Sequence, residues 1–130
     1  MGFSLLRSRR GAAVVEFALV LPLLMLLVVG ILEFGRVLNT YLVVLNGARE
    51  GARYAAVGVS ASEVIQKVKN ACPSCSASLL VVQVTGASGL RGDPVTVRVT
   101  YPVEIVTPMF ERFFSNDPFP VSAEAVMRLE

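Results

Sequence analysis

The sequence predicts an α+β protein: a long N-terminal membrane-spanning helix followed by a small head with a short helix and a three-stranded antiparallel sheet. Three observations carry that reading. Ala12 to Leu32 is apolar apart from Glu16, and its 21 residues would rise about 31 Å as a helix, against a hydrocarbon core of about 30 Å. A helical repeat of apolar residues continues beyond that run to about residue 57. After it come stretches in which apolar and polar residues alternate, the period of a half-buried strand.

Composition bounds the function. At 130 residues the chain holds one small domain plus a segment with another job, and 54% hydrophobic residues with no His and no Trp is too apolar for an ordinary soluble domain. Net charge is +2, and the cations form no patch beyond Arg7, Arg9 and Arg10, which argues against nucleic acid as a partner. Without His, the Ser-His and Cys-His nucleophile arrangements are absent. There is no phosphate-cradling glycine motif and no metal-ligand cluster. Glu104 with Glu111, or Asp93 with Asp117, could be paired on paper, but nothing converges on them and they read as solvated loop charges. The expectation is a protein that is not an enzyme, with no cofactor, no metal and no small-molecule substrate.

Residues 1–11 form a basic leader and residues 12–32 the transmembrane helix. A cleaved secretory signal would have a shorter apolar core ending at a small-x-small site. The three arginines before the run, with Arg36 the only cation soon after it, keep the N-terminus cytoplasmic and turn residues 58–130 outward as an extracytoplasmic head. Pro22 falls inside the run, where membrane helices tolerate proline.

Beyond the run, Leu27, Ile31, Phe34, Leu38, Tyr41, Leu45, Ala48, Ala52 and Ala55 recur at spacings of four and three, a seam of period 3.5. Beside it Gly47, Gly51 and Ala55 stand four apart, a row of small residues where another backbone can come close. The packing residues are thus Gly47, Ala48, Gly51, Ala52 and Ala55. The far half of the seam should cover the chain's own sheet, and its membrane half should face other subunits. Gly58 is the expected stop.

In the head, Ser60-Ala61-Ser62-Glu63 fits a capping box, with Val64, Ile65 and Val68 on one face of a short helix that ends at "CPSC". Cys72 and Cys75 of that motif lie in an oxidising compartment, which favours a local disulfide. A redox CxxC lacks its βαβ setting, and two Cys without His cannot bind zinc. Leu79 to Thr85 reads as a strand and "GASGLRGDP" as a loop. Val95, Val97, Val99 and Tyr101 alternate with Thr96, Arg98 and Thr100, in a strand bounded by Pro102 and Pro108. Val121, Ala123, Ala125, Met127 and Leu129 alternate again. Phe110, Phe113, Phe114 and Phe119 would cover one end of the core or, if exposed, mark a contact surface.

Glu16 is the anomaly: a carboxylate beside sixteen residues, Phe17 to Leu32, with no charged or hydrogen-bonding side chain. In "RRGAAVVEF", Gly11 is followed by Ala12, with Glu16 fifth and Phe17 sixth counting from Ala12. This resembles the prepilin-peptidase site of type IV pilin-like proteins. Over residues 9–57, "RGAAVVEFALVLPLL" with "NGAREGARYAAV" resembles the TadE-like family of tight-adherence (Flp) pilus pseudopilins, so the fold implied is pilin-like. The resemblance implies cleavage between Gly11 and Ala12, with Glu16 and Phe17 as recognition and assembly residues. Phe17 keeps the aromatic ring of the family's frequent Tyr and loses its hydroxyl. The implied partners are the bacterial inner membrane, a prepilin peptidase, a pilus assembly platform and other pilin-like subunits. An ionised acid at membrane depth costs about 2.5–3.5 kcal/mol on insertion scales. The α-amine that cleavage would create on Ala12 is a cation suited to pair with it, within a chain or between staggered chains. Otherwise Glu16 snorkels to the headgroups or meets Arg9 or Arg10 of an uncleaved leader. Two other functional classes stay open: a single-pass membrane-anchored binding module that is never processed, and a tethered CxxC thiol oxidoreductase.

Overall fold

The structure, a computed structural model, describes residues 3–107 and 118–130, and for residues 3–10 the backbone alone. The chain divides into two units, Met1–Phe34 and Gly35–Glu130. Its elements are α1 (Phe3–Ala56), α2 (Ala61–Ala71), β1 (Val81–Thr85), β2 (Pro94–Val103) and β3 (Phe119–Arg128). This is the expected α+β layout of a long apolar helix, a short helix and three antiparallel strands.

α1 already runs through residues 3–10, because none of them breaks a helix, and it continues through Pro22. At its other end Gly58 takes φ +81°. Its N–H donates to the Ala55 carbonyl at 3.1 Å, and the Val59 N–H donates to the Tyr54 carbonyl at 3.3 Å. That pair of bonds is a Schellman stop, which needs the left-handed residue that glycine supplies most cheaply. The Ala56 carbonyl is also satisfied, by the Glu130 N–H at 2.9 Å, so the chain's last residue is tied to the end of α1.

α2 starts as its sequence demands, with one variation. The Ser60 hydroxyl accepts the Glu63 N–H at 3.4 Å, but the Glu63 carboxylate returns to that hydroxyl (2.9 Å). Val64 and Val68 are its fully buried face, while Ile65 is half-buried.

The sheet order is β1-β2-β3, antiparallel throughout, with Val82 opposite Val99 and Val97 opposite Ala125. Val95, Val97, Val99, Val121 and Ala123 face the core, and β3 is a strand despite the helix-favouring Glu, Ala and Met in it. β2 does not stop before Pro102; it runs on to Val103, with Pro102 opposite Pro120. Register explains why. Leu129 N–H donates to the Asp93 carbonyl at 2.9 Å, in line with the β2–β3 register. Hydrogen-bonding direction alternates along antiparallel strands, so even-numbered residues of β2 turn their amides toward β1 and even-numbered residues of β3 turn theirs outward. β1 ends at Val81, opposite Thr100. The N–H that Pro102 lacks would therefore face a side with no strand, and the N–H that Pro120 lacks would face the free edge of the sheet, the positions a sheet allows to proline. Pro108 lies outside the described residues.

The core of the second unit is wholly apolar among the described residues: Val44, Ala48, Ala52 and Ala55 of α1, Val64 and Val68 of α2, and the inward valines of β2. Val44 takes the place that the seam assigned to Leu45, which is half-buried.

Candidate functional site

Over residues 11–34 the helix of the first unit carries most of its side chains outward. Phe17 is 63% exposed and Leu19 76%, and the most apolar 18-residue window of the helix has mean hydropathy 2.7 with none of it buried. A helix apolar on every side needs a surrounding of lipid or other helices. Its length and composition suffice to cross a membrane. Gly11, Ala12 and Glu16 are exposed on it as well. The Gly11–Ala12 bond lies within α1, and Glu16 stands four residues after Ala12. Ala12 and Glu16 therefore share one side of this helix.

The small residues Gly47, Ala48, Gly51, Ala52 and Ala55 are all buried, and what they admit is the chain's own head. A β-carbon on Gly47 would fall 2.5 Å from Cys72 Sγ. One on Gly51 would fall 2.5 Å from Val68 Cγ2 and 3.1 Å from Val97 Cγ1. The glycines let α2 and β2 close on α1. Earlier residues of the seam are exposed: Leu27 is 60% exposed, Ile31 63%, Phe34 69% and Leu38 45%.

Cys72 is buried at the C-terminal cap of α2, Cys75 is half-buried, and both are thiols in this structure. The Cys75 N–H donates to the Cys72 carbonyl at 3.0 Å, closing a tight turn that brings the two residues together. The Ser76 N–H then donates to the Tyr101 hydroxyl at 3.3 Å, tying the turn to β2. Burial pushes the Cys72 thiol up to about 11, and it raises Cys75 as well. A redox-active CxxC needs the opposite, a thiolate stabilised at neutral pH.

Other polar groups that the sequence left in solvent turn out to hold loops. Asp93 Oδ2 accepts the Leu90 N–H at 2.8 Å, shaping the turn before β2. Arg36 donates to the Glu104 carbonyl, fastening the chain that leaves β2 to α1. Arg98 pairs with Glu124 on the outer face of the sheet, directly across the strands. Tyr54 lies between the cations of Arg53 and Lys67, at 5.3 and 5.0 Å from its ring centre, beside a shallow open hollow. Of the four phenylalanines, Phe119 is described and exposed at the start of β3, while Phe110, Phe113 and Phe114, with Glu111 and Asp117, lie outside the described residues.

Among known families, the one described as TadE-like protein matches residues 11–53, about a third of the chain. The match agrees with the resemblance read from the sequence, and it takes in Gly11, Ala12, Glu16 and Phe17 together with the small-residue row up to Ala52. It associates the chain with Tad pilus systems, a pilus-component family. No curated protein and no solved structure matches the chain.

Proposed function

We propose that the protein is a non-enzymatic minor pseudopilin that acts in assembly of a tight-adherence (Flp, type IVb-like) pilus. In this reading a prepilin peptidase cuts between Gly11 and Ala12 at the cytoplasmic face of the inner membrane. The cut removes Arg7, Arg9 and Arg10 and leaves nine cations against ten anions. Glu16 then meets the new Ala12 amine, of its own chain or of a staggered neighbour. Two misaligned helices would leave two unpaired charges in a dry site, so the pair selects register. The head stays outside the cytoplasm, where Cys72 and Cys75 close a disulfide. The partners are the peptidase, the pilus assembly platform and other pilin-like subunits.

The observation that carries the reading is the family match across residues 11–53, which takes in the Gly-Ala…Glu-Phe pattern and the small residues up to Ala52 in one helix. The uncovered apolar half of α1 supports it, because a surface so apolar calls for lipid or sibling helices. The test is to co-express the chain with its peptidase and sequence the mature N-terminus. The expected first residue is Ala12; a chain still beginning at Met1 or Gly2 removes the amine and the mechanism with it.

A further inference from the structure

The sheet ends in two open edges. Odd-numbered residues of β1 turn their amides toward β2, so Val82 and Val84 turn theirs outward. The same alternation turns the amides of Glu124, Val126 and Arg128 outward from β3. Among the described residues, none of these five amides has a partner. An edge in that state is a template for a further strand.

Both edges also leave apolar surface partly in water. Val95, Val97 and Val99 of the central strand are fully buried. The inward residues of the edges, Val82 and Val84 of β1 with Ala125 and Met127 of β3, are only half-buried. Covering them is favourable. The two edges run the same way, because β1 and β3 are each antiparallel to β2. A second copy set beside the first without rotation therefore brings its β1 against β3 as a parallel pair.

One register suits both edges. With the neighbour's Val81 beside Glu124, its Val82 lies beside Ala125 and its Val84 beside Met127, all on the inner face. Its Gln83 lies beside Val126 on the outer face. The free amides then find acceptors: those of Val126 and Arg128 in the neighbour's Val82 and Val84 carbonyls, and those of its Val82 and Val84 in the Glu124 and Val126 carbonyls. Charge permits the contact. β1 carries no charged side chain, so Glu124 and Arg128 meet no like charge, and Glu124 keeps its pair with Arg98.

We propose that the head joins a second copy of this chain edge to edge, β3 of one against β1 of the next, so that copies standing side by side build one continuous sheet. The contact is heterologous: each copy fills one edge and offers the other, so the row grows and does not close on itself. Copies related by translation are parallel in every part, as chains inserted the same way into one membrane must be. The inference goes beyond the pseudopilin reading and does not depend on removal of the leader.

Two differently tagged full-length chains, one with Gln83→Cys and one with Val126→Cys, would be co-expressed and oxidised in isolated membranes. Both substitutions fall on the exposed outer face of the sheet, and the pair would be run with Cys72 and Cys75 as alanine and again with both retained. Within one chain, positions 83 and 126 are two strands apart, about 10 Å, too far for a bridge that needs Cα atoms within about 7 Å. The expected result is a cross-linked dimer carrying both tags, absent when either chain is expressed alone. A chain with both substitutions should give a ladder of higher oligomers. No mixed dimer in either background overturns the proposal. A Val126→Cys chain that couples to itself in the alanine background also overturns it, because β3 would then pair with β3. Cleavage after Gly11 is read separately, so failure here is distinguishable from failure of the proposed function.

Discussion

Cys72 Sγ lies 2.5 Å from the point where Gly47 would carry a β-carbon, so the cap of α2 occupies the space that a missing side chain leaves on α1. The same holds one turn on, where Val68 fills the place beside Gly51. Glycine in a helix interior costs about 1 kcal/mol relative to Ala, so these two positions trade propensity for contact.

The trade can be measured. Alanine at Gly51 would meet Val68 and Val97 together, and overpacking of that kind costs about 1–3 kcal/mol, more than the propensity gain of about 1 kcal/mol. Gly51→Ala should lower the unfolding midpoint of the head in micelles. Gly47→Ala should do so less, because a single thiol can turn aside, and its effect should shrink in a Cys72→Ala background. Gly35→Ala meets nothing within 4 Å and should raise stability by up to about 1 kcal/mol. Equal effects at positions 35 and 51 would contradict the close approach.

Gly58 makes a purely conformational prediction. Space around it is open, yet its φ of +81° is one that side chains adopt at a cost of about 1–2 kcal/mol. Gly58→Ala should destabilise the head by that amount in thermal unfolding, with no change in the α2 contacts. Gly58→Asn, which tolerates the left-handed region, should recover part of the loss.

The cysteines tie redox state to pH dependence. Chain exported to an oxidising compartment should carry a Cys72–Cys75 bridge, read as failure of both to alkylate until reduced. In reduced protein the folded Cys72 pKa is raised, from 9.0 to about 11, above its value in the unfolded chain. The unfolded thiol ionises first, so the stability that its protonated form confers is complete below pH about 9 and is lost as pH rises toward about 11. Reduced protein should therefore lose stability across that window more steeply than the bridged form, in which no thiol titrates. Parallel curves for the two forms would contradict it.

Legibility in the sequence followed the physics of each element. Alternation has a period of two and admits no drift, so Val95, Val97, Val99 and the run from Val121 to Leu129 were placed on the correct face from spacing alone. A seam of period 3.5 drifts by about 20° per heptad on a straight helix, which is why extrapolation assigned the core to Leu45 where the structure buries Val44. Pro102 was misread as a strand end because its tolerance depends on where β1 stops, a fact of register that no local pattern carries. The glycine row announced close approach and the far half of the seam was expected on the chain's own sheet; the contacts beside Gly47 and Gly51 show that α2, through Cys72 and Val68, comes as close as Val97 of the sheet. Gly11, Ala12, Glu16 and Phe17 were singled out through family resemblance alone, since four residues of such types fix no chemistry without the apolar run behind them.

The pairing of Glu16 with a terminal ammonium on Ala12 is tested most directly by Glu16→Gln, followed in the same cells for cleavage after Gly11 and for pilus formation. Glutamine keeps the size and removes the charge. The expected result is a chain that inserts in the membrane and fails to support pili, with Glu16→Asp partly restoring them. Normal processing together with normal pili in Glu16→Gln would contradict the account.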